Sequence, residues 1–383
     1  MKSKNVLITI SHLAVGGTEI QTLNLVKALT QCGYKVTVIC FFRHIQLTVS
    51  QFKEAGANIY IVSPQYNDYN IKITYPTNFK LISFLYTHLK KIIHQEQIDI
   101  VHVQYMPPAL SVVLVLHYLL HVKNIIVTSH TMADIYQNLR FIHFIQKHCV
   151  RAFTCITKKA EESFFNHSQL YSFDTILKKR NHFTIYNTLS PYIQIREQNK
   201  EWGHPTCIGV ISRLEKIKGM DLVIPAFTEI RKHHPEIKLL IVGSGSLKEL
   251  MLQQAHSLQV EKSITWIDRQ AQYHLQTYYD QIDILLMPSR SEGFGLTAIE
   301  GMARGCVVVA SNTGGLPEVV KDKEVGLLHA QENTEDMTEK ICYLLENPQY
   351  MKTLSMNAVH YVEQFGYKKY TLLFNDMYKK ITN

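Results

Sequence analysis

The chain has no hydrophobic run long enough to cross a bilayer. A transmembrane helix takes ~20 consecutive apolar residues. The longest run among these 383 residues, Ala109 to Leu120, is 12 long and contains His117, which suits a buried helix. The opening MKSKNVLITISH carries two lysines, a short apolar run and no small-residue cleavage site, so it reads as a first strand rather than a signal peptide. Cysteine is scarce and unpaired in pattern. The seven are scattered without a CxxC motif, as expected for reduced thiols in a cytosolic protein. No DxD pair stands in a candidate site, and despite 19 histidines no metal and no cofactor is expected.

Positive charge is present and lopsided. The chain carries a net +8, yet residues 1–190 hold 19 Lys and Arg against 9 Asp and Glu, and residues 191–383 hold 21 against 23. Such asymmetry points to an anionic partner for the first half, or to lysines that serve only solubility. The lysines alternate with helix faces and show no aromatic-interleaved basic motif, which argues for a membrane surface over nucleic acid. Lys90-Lys91, Lys158-Lys159 and Lys178-Lys179-Arg180 are the clusters.

Strand and helix signals alternate along the whole length, the pattern of doubly wound parallel sheets. Val6–Ile10, Lys35–Phe41, Asn58–Val62, Ile98–Val103 and Asn124–Thr128 are predicted strands, with helices over Thr18–Gln31 and Phe79–Gln95. Gln65–Thr77 is a Tyr- and Asn-rich loop. A second alternation starts at Cys207 and runs through the strands Ile237–Val242, Ser263–Ile267, Ile284–Met287 and Cys306–Ala310. The expected division is an N-terminal domain over 1–190, a linker over 191–204, a second domain over 205–362 and a terminal helix over 363–383.

Two stretches carry chemistry. In DILLMPSRSEGFGLTAIEGMARGCVVVAS (Asp283–Ser311) a strand leads through a glycine-flanked loop into a helix. The carboxyl edge of a parallel sheet is where ligands bind. Glu292 lies in that loop and Glu300 on the helix. The backbone amides around Phe294, Gly295, Leu296 and Thr297 open the helix, where its dipole favours an anion. Hydroxyl, phosphate and hydroxyl could thus be bound in turn. A structural reading stands beside this one: Thr297 and Glu300 spell a capping box, and Glu300 with Arg304 an i,i+4 ion pair. The second stretch is Ser212-Arg-Leu-Glu-Lys-Ile-Lys-Gly219. Arg213 and Lys218 stand five apart at a strand end and can clamp a diphosphate, Arg as a planar fork and Lys as a point charge. In the first half Gly16-Gly17 sits between strand and helix, where backbone can approach a phosphate. The Gly243-Ser-Gly245 turn has Lys248 in the place of a third glycine and is not a dinucleotide site.

Together SEGFGLTAIEGMARG, VVVASNTGGLPEVV, the Arg213/Lys218 spacing and the GGTE loop resemble glycosyltransferase family 4, retaining enzymes of GT-B architecture. Cys306 and Gly301 depart from the family's usual proline and alanine. The resemblance implies two facing Rossmann-like α/β domains with a central cleft and a C-terminal helix crossing back to the first. It implies a nucleotide-sugar donor as co-substrate, with Glu292 and Gly293 at the sugar, Glu300 at the ribose diol, and Arg213 and Lys218 at the diphosphate. Gly16 and Gly17 then face the diphosphate, and His130 lies near the donor sugar. The base, UDP or GDP, stays open because Asp268 stands where glycine is common. The expected activity is metal-independent hexosyl transfer to a glycan or lipid-linked acceptor at the inner membrane face, in polysaccharide or glycolipid assembly. A nucleotide-sugar epimerase of the same shape is the alternative.

Overall fold

The computed structural model describes residues 4–14, 16–62, 79–105, 109–135, 138–198, 200–201 and 206–382. The Gln65–Thr77 loop and part of the expected 191–204 linker lie outside them. The chain divides into two compact units, Met1–Thr188 with Lys368–Asn383, and Leu189–Tyr367.

The first unit is built on a seven-stranded sheet. Its strands are β1 (Asn5–Ile10), β2 (Lys35–Cys40), β3 (Asn58–Ile61), β4 (Ile100–Tyr105), β5 (Ile125–Ser129), β6 (Ala152–Cys155) and β7 (His182–Thr184). They pair in the order β3-β2-β1-β4-β5-β6-β7, all parallel. Val6 to Ile10 and Ile125 to Ser129 are buried on both faces, as expected for central parallel strands covered by helices on either side. The helices are α1 (Gly17–Gln31), α2 (Gln46–Glu54), α3 (Phe79–Gln95), α4 (Ala109–Leu114), α5 (Leu139–His148) and α6 (Lys158–Phe165).

The expected helix over Ala109–Leu120 is α-helical only to Leu114. Val115–Leu119 forms one π turn, in which the Leu120 amide donates to the Val115 carbonyl at 3.0 Å. Tyr118 and Leu119 are left 48% exposed. The short β7 gave no sequence signal. It is held by a buried carboxylate on α6: Glu161 accepts from His182 and Thr184 at 2.7 Å each, and from Arg180 at 2.7 Å. Burial pushes the Glu161 carboxyl up, but these donors and the Gln169 amide outweigh it and hold it below its ordinary value.

The second unit has β8 (Cys207–Ile211), β9 (Lys238–Val242), β10 (Ile264–Ile267), β11 (Ile284–Met287), β12 (Val307–Ser311) and β13 (Gly326–His329), parallel in the order β10-β9-β8-β11-β12-β13. Around them lie α7 (Val223–His233), α8 (Lys248–Ser257), α9 (Leu275–Tyr279), α10 (Leu296–Ala303), α11 (Leu316–Val319), α12 (Thr334–Glu346) and α13 (Pro348–Tyr361). Within the expected linker, Lys200 is buried and pairs with Asp283 at 3.3 Å, pinning that segment to the start of β11. The last helix, α14 (Tyr367–Thr382), belongs from Lys368 onward to the first unit. There Tyr378 meets His102 of β4 at 2.6 Å, and Tyr171 donates to Asp376 at 2.7 Å.

Candidate active site

In the second sheet β8 and β11 are neighbours, and the chain winds outward from them in opposite directions. This reversal opens a crevice at their carboxyl ends. Ser212-Arg213 leaves β8 there, and Pro288 to Gly295 leaves β11.

Close backbone packing locks these loops. Gly219, at φ +68°, lies where a Cβ would come 1.9 Å from the Pro288 carbonyl oxygen. Gly314, at φ +54°, would place one 1.9 Å from the Glu292 carbonyl oxygen. A side chain at either position would force the loop off its neighbour. Arg290 adds the polar counterpart. Its guanidinium donates to both Asp221 oxygens at 2.6 and 2.9 Å, to the Lys216 carbonyl at 2.6 Å and to Glu332 at 2.5 Å. Asp221 and Glu332 hold its pKa above the ordinary arginine value. The outcome is a single apposition: Lys218 Nζ lies 2.6 Å from Glu292 Oε2, each side chain 18% exposed. Arg213 is exposed and makes no ion pair among the described residues.

The helix that follows is α10, with Gly295 as its N-cap and no side-chain cap. Phe294 is buried and packs edge-on against Phe365 at 5.6 Å. The capping-box reading of Thr297 and Glu300 fails because the N-cap is Gly295, two residues before Thr297. The Glu300–Arg304 pair fails too. Arg304 turns to Asp280 at 2.8 Å, whereas Glu300 is buried and accepts from the Tyr279 hydroxyl at 2.8 Å and from Gln272 Nε2 at 3.3 Å. Burial pushes the Glu300 carboxyl up to about 7 against the pull of those two donors.

Sequence reasoning missed four groups here. Arg290 was read only as part of a turn, and Asp221 and Gln272 carried no motif. The fourth is Arg269, whose pKa is lowered by partial burial and by Arg213 nearby. Arg213 also acts on Glu215 and helps to hold that carboxyl below its ordinary value. Asp268 instead pairs with Lys248 at 2.6 Å.

Gly16, Gly17 and His130 belong to the first unit. The Glu19 carboxylate folds against Gly16, 2.8 Å from where a Cβ would sit, so the start of α1 carries its own acid. His130 is buried, its Nε2 bonded to Gln104 Oε1 at 2.6 Å, and burial brings its pKa down to about 4. It is a neutral imidazole at physiological pH. Gln104 Nε2, also buried, has no hydrogen-bond partner among the described residues. Those residues contain no group of three or more His, Cys, Asp or Glu that could hold a metal.

Two doubly wound parallel units, the last helix returning to the first, define the GT-B fold. Comparison with known proteins agrees. A Rickettsia africae glycosyltransferase structure covers 100% of this chain and 99% of its own at a TM-score of 0.80 and 18% identity. An Anabaena protein solved in complex with UDP and glucose covers 98% and 99% at 0.75 and 15%. The family described as glycosyl transferases group 1 matches residues 192–361, and glycosyltransferase family 4 matches residues 15–169. The chain belongs to this group 1/family 4 glycosyltransferase family. An uncharacterized glycosyltransferase of Methanocaldococcus jannaschii is 26% identical over 99% of both chains. The D-inositol 3-phosphate glycosyltransferase of Corynebacterium aurimucosum is 31% identical, but over 43% of this chain and 40% of its own length.

Proposed function

We propose that the protein transfers a hexosyl group, with retention, from a UDP- or GDP-sugar to a hydroxyl of a glycan or lipid-linked glycan, in surface polysaccharide or glycolipid assembly. The observation that carries this is the Lys218–Glu292 apposition at the switch point of the second sheet. The donor's anomeric carbon–oxygen bond breaks, leaving negative charge on the departing diphosphate. Lys218, Arg213 and the α10 amides from Gly295 onward meet that charge. Glu292, released from Lys218, accepts from sugar hydroxyls, and Glu300 from the ribose diol. Gly293 lets the backbone lie close to the sugar. Neighbouring folds solved with UDP favour uridine over guanosine. These side chains take the place a divalent metal would fill.

The test is nucleoside diphosphate release from UDP- and GDP-sugars with glycolipid acceptors, with the product anomer read by NMR. Acceptor-dependent release with retained configuration is expected. An epimeric nucleotide sugar formed without release would identify an epimerase instead, and an inverted product would overturn retention.

Peripheral binding to an anionic bilayer is part of the proposal, and α5 supports it. Its outer side exposes Leu139 (37%) and Phe144 (41%) beside exposed Arg140, Lys147 and His148. From Ile100 to Ala160 there is one acid, Asp134, against six Lys and Arg. Each cation near an anionic surface is worth about 1 kcal/mol. Arg180, grouped with the surface clusters on sequence, is spent on Glu161 instead. Flotation with anionic vesicles at low salt, lost in high salt and in Phe144→Ser, is expected. A protein left in solution would make the acceptor a soluble molecule.

A further inference from the structure

Glu300 is placed by groups that no sequence motif marks. Tyr279, at the end of α9, is fully buried and donates to one carboxylate oxygen at 2.8 Å. Among the described residues the other oxygen receives only the 3.3 Å contact from Gln272, on a half-buried turn before α9. One donor is rigid and short, the other long and close to solvent. We propose that Tyr279 is the positioning residue that keeps Glu300 aimed and ionised for the donor ribose, and that Gln272 occupies the ribose position until the nucleotide displaces it.

The proposal rests on the assignment of Glu300 to the ribose diol. A carboxylate offers about four acceptor positions, so with Tyr279 fixed on one oxygen the other can take both hydroxyls of a diol once Gln272 leaves. A protonated carboxyl would offer a donor where the diol needs acceptors. The groups facing Glu300 are Tyr279, Gln272 and, behind Tyr279, the Cys306 thiol, which donates to the Tyr279 carbonyl at 3.2 Å. That thiol is neutral, burial pushing it up to about 12. Among the described residues no charged side chain pairs with Glu300. Its ionisation near neutrality therefore depends on two neutral donors, and mainly on Tyr279. Removing the hydroxyl raises the Glu300 pKa further, so ribose recognition returns only at higher pH.

The experiment measures binding of UDP, GDP and their 2′-deoxy forms by calorimetry from pH 6 to 9, using whichever base binds more tightly. The wild type is expected to prefer the ribonucleotide, and Glu300→Gln to lose that preference. Tyr279→Phe should weaken ribonucleotide binding about tenfold at pH 7, a hydrogen-bond-sized loss. The preference should recover toward pH 9, its midpoint displaced upward from the wild type. Gln272→Leu should retain the preference. If Glu300→Gln keeps it, the ribose assignment itself is wrong. If Glu300→Gln loses it while Tyr279→Phe keeps the wild-type preference and pH profile, Tyr279 is structural only. Loss of the preference in Gln272→Leu would reverse the roles of the two donors. Should Tyr279→Phe fail to fold, carbon-13 NMR of glutamate carboxyls in the wild type decides. A Glu300 signal that stays ionised to pH 5 overturns the dependence on Tyr279.

Discussion

At the carboxyl end of β11 the polar side chains are charged and within reach of solvent; at the carboxyl ends of β4 and β5 they are neutral and buried. Lys218 and Glu292 neutralise each other in the second unit, and Arg213 and Arg269 there lie close enough to act on one another. In the first unit His102 bridges Tyr378 and Thr128 at 2.6 Å each, Thr128 meets Thr154 at 2.6 Å, and His130 meets Gln104. Apart from the added β7 the two sheets share a strand order, so the contrast lies in the side chains and not in the topology. A ligand that brings two phosphate charges needs cations that are solvated until it arrives, since a buried unpaired cation is costly. A hydroxyl-rich ligand needs fixed neutral donors and acceptors, and those are stable in the dark of a core once satisfied.

The strongest way to break the comparison is to remove charge from the second unit. Lys218→Ala and Arg213→Ala should each reduce turnover by roughly 10²–10³-fold, the loss of one preorganised contact to a developing anion. Melting should be unchanged for Arg213→Ala, since Arg213 is exposed and makes no ion pair among the described residues. Wild-type turnover in both would end the diphosphate assignment.

Next in size is the neutral network. Tyr378→Phe leaves His102 Nδ1 buried without its partner, which should cost about 1–3 kcal/mol in denaturant unfolding. Turnover per folded molecule should change little. An unchanged midpoint would show that the hydroxyl does not hold α14.

Acid then separates the units by sign. Burial brings His102 down to about 3 and His130 to about 4, below the ordinary 6.5. Their unfolded forms bind protons first, so the first unit loses stability as pH falls from 6.5 toward 4, by about 1.4 kcal/mol per group per pH unit. Glu300 is raised from 4.5 to about 7, so its contribution is full below pH 4.5 and is lost as pH rises through 7. Unfolding followed by hydrogen exchange in each unit between pH 4.5 and 7 should show opposite slopes. Parallel slopes would contradict the assignment of these groups as the dominant titrating sites.

The smallest expected effect is none. Turnover should persist in EDTA, since cations and backbone amides serve the diphosphate. Activity abolished by chelation and restored by magnesium or manganese would place a metal in the site.

Much of the fold was legible because parallel strands buried on both faces leave continuous apolar runs, as in Val307 to Ala310 and Ile125 to Val127. What escaped was set by tertiary contact. The three residues of β7 are a strand because Glu161 gathers them, and the π turn at Val115–Leu119 follows from packing that no period encodes. In the site, Glu292, Glu300 and Lys218 lie within compact strings and could be found there. Arg290 sat inside the same string, but its partner Asp221 is 69 positions away. Tyr279 is 21 positions from Glu300 with nothing in between to tie them. The pairing of β8 with β11 brings Arg290 to Asp221, and the packing of α9 and α10 on either side of β11 in the chain brings Tyr279 to Glu300.

The return of α14 to the first unit has a consequence for synthesis. The second unit is one continuous segment and has all its residues once Tyr367 has been made. The first unit does not, because its core includes Phe374, Met377 and Tyr378, all buried, with Tyr378 resting edge-on against Tyr34 at 5.6 Å. Before that helix docks, His102 lacks its Tyr378 partner and its contact with Phe374. The first unit therefore completes its core only with a segment that follows the second unit in the chain, so its folding waits on residues made after that unit.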